Sequence, residues 1–234
     1  MLAGCGFTHI GLPLRLPVHR PDCTEEEARH LCAIIERTGA ASVCITYETD
    51  PAEALALCRF LGCRGLHLHG AMPLGAVAEV RRAAPELFVI KSLVLGAEQG
   101  EQALLELARA HAPHVDAFLT DTFDPATGAS GATGKTHDWG VSRRLAELLP
   151  RPLILAGGLT PANVARAIAE VRPAGVDAHT GLEGPDGAKD LEPRRRDRTR
   201  ARWHSHWREG PVAWCGRGGH RRCRRRRLRR RDLL

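Results

Sequence analysis

The sequence predicts a parallel α/β fold of the (β/α)8 TIM-barrel class, and three observations lead to that prediction. Short apolar runs alternate with amphipathic helical stretches between residues 9 and 190. Seven βα units recur at intervals of about 23 residues, one unit short of a complete barrel. No GxGxxG motif follows the first strand, although a doubly wound nucleotide-binding sheet would require one. An open doubly wound sheet is the alternative architecture.

Apolar runs bounded by turn residues predict the strands in chain order. They lie at residues 9–12, 42–46, 65–69, 88–93, 115–120, 152–156 and 175–178. Helices are predicted at 24–37, 50–61, 73–84, 98–111, 140–149 and 161–170. The first begins with Thr24 as an N-cap before three glutamates, and the second with Asp50 before Pro51.

The net charge of +7 is concentrated in the C-terminal segment. Residues 191–234 hold about 17 of the 34 basic residues and about 4 of the 27 acidic ones, so the preceding body is acidic. The segment lacks helical and strand periodicity, and it has too little apolar surface to offset the entropy of ordering. We therefore predict a barrel over residues 1–190 and an Arg-rich tail over 191–234, either disordered or produced by a shifted reading frame. A genuine tail would contact nucleic acid or acidic partners.

Cysteine usage and hydropathy predict a cytoplasmic protein. The eight cysteines are scattered through helix-like and strand-like runs without a CxxC pair, as is typical of reduced apolar core residues. No apolar run approaches the roughly 18 residues of a membrane span, and the N-terminus lacks a secretory pattern.

Asp121 is the leading catalytic candidate. It follows the apolar run 115–120, and catalytic side chains of barrel enzymes lie at the carboxyl ends of parallel strands. Apolar strand ends around the carboxyl would hold its proton nearer neutrality and allow it to act as an acid. The alternative is a structural role as a loop cap or as a partner of Lys135.

Three glycine-rich loops predict a site for a small phosphorylated ligand. They are residues 128–134, the Gly-Gly turn before Thr160, which is predicted to cap a helix with Pro161 at its first position, and the loop after the last strand. In barrels the loops after the last two strands offer backbone N–H groups to a phosphate. The candidate phosphate-binding residues are Gly134, Gly157, Gly158, Thr180 and Gly181. A tight turn without a ligand is the alternative explanation of the Gly-Gly pair.

Five segments, taken together, resemble the phosphoribosylanthranilate isomerase family, barrel enzymes of tryptophan biosynthesis. They are HLHG (67–70), VIKS (89–92), GATGKTHDW (131–139), LAGGLTPANV (155–164) and GVDAHTGLEGPDGAKD (175–190), in the family's order and spacing. The resemblance covers about residues 7–190. It implies a cofactor-free and metal-free Amadori rearrangement of N-(5-phosphoribosyl)anthranilate to 1-(2-carboxyphenylamino)-1-deoxyribulose 5-phosphate.

The resemblance also implies roles for individual residues. Asp121 matches the family's acid, which protonates the furanose ring oxygen, and Arg20 falls close to the arginine that holds the anthranilate carboxylate. Arg20 is otherwise a solvated loop residue. By its letters Cys5 matches the cysteine whose thiolate removes the C2 proton. Only three residues separate Cys5 from the strand at 9–12, and this favours another alignment, in which the first βα unit and its cysteine are absent. The last helix of the barrel is also expected to be absent.

Departures from the family pattern leave further hypotheses open. His67 stands where the family usually has Gln, and with His69 on the same strand face it suggests a metal site. His179 replaces a serine and would add charge near the phosphate. Lys91 would face the barrel mouth or form a barrel salt bridge.

Two other functions remain as alternatives to the isomerase. One is another phosphate-binding barrel enzyme, such as a ribulose-phosphate epimerase, and the other is an inactive barrel whose basic tail contacts nucleic acid. The chain is expected to be a monomer or a homodimer.

Overall fold

Seven parallel strands form one curled sheet in the part of the chain that the structure describes. The computed structural model describes residues 7–17, 22–95, 100–124, 129–130 and 136–184. The strands are β1 (His9–Leu14), β2 (Ala41–Thr46), β3 (Gly65–Leu68), β4 (Phe88–Leu95), β5 (Ala117–Asp124), β7 (Leu153–Leu155) and β8 (Gly175–Val176). A short strand, β6 (Ala129–Ser130), pairs antiparallel with the end of β5. The parallel neighbours follow chain order from β1 to β8.

Six helices connect these strands in the same part of the chain. They are α1 (Glu25–Arg37), α2 (Pro51–Leu61), α3 (Leu74–Ala83), α4 (Glu101–His111), α5 (Trp139–Leu148) and α6 (Val164–Val171). A 3₁₀ turn, Thr180–Leu182, follows β8. The alternation of strands and helices confirms the predicted fold class. Among the described strands β1 and β8 end the sheet without pairing to each other, so this part of the chain is a half-barrel. The predicted tail at 191–234 lies outside the described residues.

Among the boundaries that differ from the prediction, two affect the site. The strand expected at 115–120 runs from Ala117 to Asp124, so Asp121 lies inside β5 and not after it. Pairing of Asp121 with Val94 of β4, and of the strand's last residues with β6, supports the extra length. The helix expected at 161–170 begins at Val164, and its N-cap position is Asn163 and not Thr160.

Successive residues of each strand face alternately an apolar layer outside the sheet and one inside it, and this alternation determines which side chains face the interior. Val89 and Phe118 belong to the outer layer between the sheet and the helices. The layer inside the curled sheet consists of Val43, Ile90, Leu119 and Ala156. Because side chains alternate along a strand, Asp121 faces the same interior as Leu119.

The described cysteines are reduced, and the described helices are short. Cys23, Cys32, Cys44, Cys58 and Cys63 are free thiols. Burial raises the pKa of the Cys32 thiol, which suits a core residue. Within the described ranges, no helix combines the length and the apolar character needed to cross a membrane.

Helix α1 begins with the cap that the sequence predicts. Thr24 Oγ1 accepts a hydrogen bond from the Glu27 N–H at 3.2 Å, and Glu27 Oε2 accepts one from the Thr24 N–H at 2.8 Å. We expect Thr24→Ala to lower the free energy of unfolding by about 1 kcal/mol, because the Glu27 N–H loses its side-chain acceptor. Urea denaturation measures the change. Thr24→Ser keeps the hydroxyl and should retain the wild-type midpoint; an unchanged midpoint in Thr24→Ala would contradict this account of the cap.

Candidate functional site

Asp121 is a buried carboxylate at the carboxyl end of the curled sheet. Its Oδ2 lies 2.9 Å from His69 Nε2, and its Oδ1 accepts a hydrogen bond from the Thr122 N–H at 2.8 Å. Apolar strand ends are therefore not the only surroundings of this carboxyl, since both oxygens have polar partners. These two contacts fix the plane of the carboxyl and the orientation of the His69 imidazole.

His69 joins Asp121 to the neighbouring strand ends. It follows the last residue of β3, and its ring stacks on that of Tyr47 with centroids 4.5 Å apart. Its Nδ1 is buried and has no hydrogen-bond partner among the described residues. The sequence indicated His69 only as a possible metal ligand, because its contact with Asp121 spans 52 positions in the chain. Proximity of the two residues depends on the strand register, which no local pattern reveals.

His67 lies deeper inside the sheet than His69. Its Nε2 is 2.8 Å from Ser92 Oγ. Burial, followed by the neighbouring charges of His69 and Lys91, lowers the pKa of His67 well below its ordinary value. The imidazoles of His67 and His69 thus have different partners. Across the described ranges, no three His, Cys, Asp or Glu side chains are grouped so that they could hold a metal ion.

A third histidine ties the end of β5 to helix α5. His137 Nδ1 lies 2.9 Å from Thr122 Oγ1, and its Nε2 lies 2.6 Å from Ser142 Oγ. Burial lowers the pKa of His137. Gly157 packs directly against this pair with a φ of 94°, and an added Cβ would overlap Thr122 Oγ1. The loop after β7 is therefore set against the residue next to Asp121, and only glycine fits there.

We expect the stability of the chain to fall as the pH drops below about 6.5. Burial lowers the pKa of both His67 and His137, so the unfolded chain takes up protons that the folded chain does not bind. His67→Gln keeps a polar partner for Ser92 and should reduce this loss. Unfolding in urea at about pH 7.5 and about pH 5.5 measures it. The exposed His30, changed to Gln, is the control; equal acid losses in wild type and His67→Gln would refute the assignment.

A cavity opens beside Asp121. It is lined by residues 156–159 after β7 and by residues 177–181 after β8. These ranges contain four predicted phosphate-binding residues, which are Gly157, Gly158, Thr180 and Gly181. The described structure thus brings the candidate acid and the two late loops to one place.

The two loops of the cavity hold each other in position. Gly181 packs on the main chain of Leu159 so closely that an added Cβ would overlap its carbonyl oxygen. The Asn163 side chain accepts a hydrogen bond from the Thr160 N–H at 2.8 Å and donates one to Gly158 O at 2.9 Å. In the described ranges the amides of Gly157, Gly158 and Gly181 donate no hydrogen bond. These N–H groups suit an anionic ligand.

His179 lies on the rim of this cavity next to two carboxylates. Its Nδ1 is 3.2 Å from Glu183 Oε1, and its Nε2 is 3.7 Å from Asp22 Oδ2. His179 is expected from the sequence to offer its charge to a phosphate. These two carboxylates lie beside the same ring and would compete with the phosphate for it.

Lys91 has neither of the positions expected from the sequence. It lies on the face of β4 opposite Ile90, which belongs to the interior layer. Its Nζ donates to Gly70 O at 2.8 Å and to Leu68 O at 3.4 Å. Because Lys91 faces away from the interior layer, the barrel-mouth hypothesis is wrong. No described carboxylate lies within ion-pair distance of its Nζ, so the salt-bridge hypothesis is wrong for this part of the chain as well.

The remaining predicted site residues, Cys5, Arg20 and Gly134, lie outside the described residues, and so does Lys135. Conversely, the structure adds residues that sequence reasoning did not place in the site. They are His69 as the partner of Asp121, Thr122 and His137 at the end of β5, and Asn163 between the loops. The three consecutive polar residues 136–138, directly before α5, are the local sequence signal that could have indicated His137.

Comparisons with known proteins agree on one family. A family model for N-(5'-phosphoribosyl)anthranilate (PRA) isomerase matches residues 18–195. N-(5'-phosphoribosyl)anthranilate isomerase 2 of Methanosarcina mazei is 34% identical over 194 residues, which cover 81% of this chain and 82% of that protein. The phosphoribosyl anthranilate isomerase structure of Thermotoga maritima is 26% identical with a TM-score of 0.65, covering 80% of this chain and 84% of that one.

A further solved isomerase shows the same fold with a ligand bound. That structure is a complex with reduced 1-(o-carboxyphenylamino)-1-deoxyribulose 5-phosphate. Its TM-score is 0.63 at 24% identity, and the match covers 80% of this chain and 83% of that one.

Proposed function

The chain belongs to the N-(5'-phosphoribosyl)anthranilate isomerase family, and from this premise we propose how its own residues carry out the reaction. It is an isomerase of tryptophan biosynthesis, which rearranges N-(5'-phosphoribosyl)anthranilate to 1-(2-carboxyphenylamino)-1-deoxyribulose 5-phosphate. The function and the barrel class predicted from the sequence are thereby confirmed. The roles of individual residues are our proposal.

Asp121 is the general acid that opens the sugar ring. Its proton passes to the furanose oxygen as the bond between C1 and that oxygen breaks, while the nitrogen lone pair forms a C1=N bond. The observation that carries this assignment is the carboxyl at the cavity wall, with Oδ2 2.9 Å from His69 Nε2. His69 can return a proton to Asp121 for the next turnover. General acid catalysis of this kind contributes about 10²- to 10⁴-fold.

Removal of the C2 proton then gives an enolamine, which tautomerises to the ketose product. The resemblance assigns this step to a cysteine thiolate, and Cys5 is the candidate in this chain. Arg20 is the candidate for the anthranilate carboxylate, which a guanidinium can bind in a bidentate manner. Turnover of the Cys5→Ala variant, measured beside the wild type, decides between Cys5 and another base: loss of turnover assigns the base to Cys5, and unchanged turnover assigns it to another residue.

The substrate phosphate binds over the two loops that line the cavity. The unused amides of Gly157, Gly158 and Gly181 support this placement within the described ranges, since backbone N–H groups bind phosphate without a counter-charge. Thr180 can add its hydroxyl, and Gly134 would approach from the third loop. The ligand of the related complex carries the same type of ribulose 5-phosphate group.

The remaining proposals concern the whole chain. Residues 1–190 form the isomerase domain, and the family match, which ends at residue 195, supports this boundary. The free thiols suit the reducing cytoplasm. The chain acts as a monomer or a homodimer, which sedimentation would decide.

Growth without tryptophan tests the function. A bacterial strain that lacks this isomerase should grow on minimal medium when it expresses the full chain, and should not grow with the empty vector. Tryptophan in the medium should restore growth of both strains. Failure of the well-expressed, folded chain to support growth would contradict the proposed function.

A further inference from the structure

Lys91 is a buried cation that the mechanism above does not use. Its residue exposure is 6%, and its Nζ donates to the carbonyl oxygens of Gly70 at 2.8 Å and Leu68 at 3.4 Å. These carbonyls are its partners among the described residues. A buried ammonium without a carboxylate partner is costly, and the two carbonyl contacts offset part of this cost.

The two carbonyls bracket His69 in the chain. Leu68 ends β3, and Gly70 follows His69 directly. Gly70 also packs against the main chain of Tyr47, where an added Cβ would lie 2.6 Å from the carbonyl oxygen. The Tyr47 ring in turn stacks on His69. Lys91 therefore fixes the backbone on both sides of the imidazole that bonds to Asp121.

We propose that Lys91 is a positioning residue for the isomerase reaction, which acts through residues 68–70 to hold His69 against Asp121. This inference rests on the proposed role of Asp121 as the acid. The ammonium draws two carbonyls toward one point, and the imidazole between them keeps a narrow range of positions. A misplacement of about 1 Å near the chemistry can cost about 100-fold in rate, so the effect should appear in kcat.

The charge of Lys91 is expected to change at a pH where the isomerase rate can be measured. Burial lowers its pKa from 10.5 to about 8. The titratable neighbours are His67 on β3 and His111 on α4, whose pKa values are lowered mainly by burial and also by the Lys91 charge. Helix α3 contributes the apolar Val77 and Val80 to the same layer. As the pH rises through 8, the ammonium is lost and its hold on the two carbonyls weakens.

Stability and activity should respond to this titration with opposite signs. Between about pH 8 and pH 10.5 the unfolded chain binds more protons at Lys91 than the folded chain does. The contribution of Lys91 to stability therefore rises with pH in this window, while the isomerase rate falls. A purely structural lysine would change stability alone.

The test compares Lys91→Met, Lys91→Arg and His111→Gln in the full chain. Methionine keeps the length without the charge, and arginine keeps the charge at every pH used. His111 is a matched buried control beside Lys91, and its Nδ1 bonds to Leu107 O at 2.8 Å, away from residues 68–70. We expect Lys91→Met to lower kcat about 10- to 100-fold with KM changed less than about threefold. The alkaline fall of the wild-type rate near pH 8 should be absent in Lys91→Arg, and His111→Gln should keep wild-type kinetics.

Two measurements test this role of Lys91. A Lys91→Met protein with the kcat and pH profile of the wild type would overturn it, even if Tm changed. The imidazole nitrogen resonances of His69 provide a measure that needs no turnover, and they should shift in Lys91→Met and not in His111→Gln. If the wild type itself is inactive, the proposed function fails, and unchanged His69 resonances would still overturn the role of Lys91.

Discussion

Asp121→Asn should lower kcat by about 10²- to 10⁴-fold with little change in substrate affinity, because a general acid acts mainly in the transition state. Asparagine keeps the size of the side chain, and its oxygen can still accept the hydrogen bond from the Thr122 N–H. It has no carboxyl proton to give to the ring oxygen. Steady-state kinetics gives kcat, and titration with a non-reacting product analogue gives Kd.

Asp116→Asn is the matched control for this loss of a carboxylate. Asp116 Oδ2 accepts a hydrogen bond from the Val89 N–H at 2.8 Å and pairs with Arg81, away from the cavity. Its replacement should lower stability and leave kcat unchanged. A near-normal kcat in Asp121→Asn would remove Asp121 from the mechanism.

Gly181→Ala should raise KM and the Kd of a phosphorylated ligand by about 10- to 100-fold. Its Cβ would overlap Leu159 O and lie 3.1 Å from Thr160 Cγ2, so the loop after β8 must move away from the loop after β7. Such a shift would remove one hydrogen bond to the phosphate, worth about 1.5 to 3 kcal/mol when a charged group is involved. The ring-opening acid stays in place, so kcat should change less than KM.

Gly75→Ala is the control for a glycine-to-alanine change. Gly75 lies in the first turn of α3, and an added Cβ there meets nothing within 4 Å. Kinetics should be unchanged, and stability should rise by up to about 1 kcal/mol, as alanine favours helix. Calorimetric titration with inorganic phosphate and the product analogue compares the two variants. Wild-type affinity in Gly181→Ala would move the phosphate site elsewhere.

The sequence predicted much of the fold because the signals for strands and caps are local. Each predicted strand corresponds to a described strand of the parallel sheet. The caps at Thr24 and Asp50 depend on residues two or three positions away and were predicted correctly. The end of β5 was not, because its last residues are extended through pairing with β4 and β6.

The candidate site was predictable only in part. Asp121 and the late glycines follow from the rule that barrel sites lie at the carboxyl ends of strands. The bond between His69 and Asp121 instead depends on the register of β3, β4 and β5, which composition does not specify. Thr160 resembled a cap, but Asn163 accepts from its N–H and thereby delays the helix.

Turnover of freshly generated phosphoribosylanthranilate, followed by the loss of anthranilate-type fluorescence, tests the central claim most directly. The purified full chain and its Asp121→Asn variant should be measured together, after both are shown to be folded. We predict catalytic turnover by the wild type and a loss of about 10² or more in the variant. A folded wild type without activity, or equal rates for both proteins, would contradict the proposal that this cavity is an isomerase site with Asp121 as its acid.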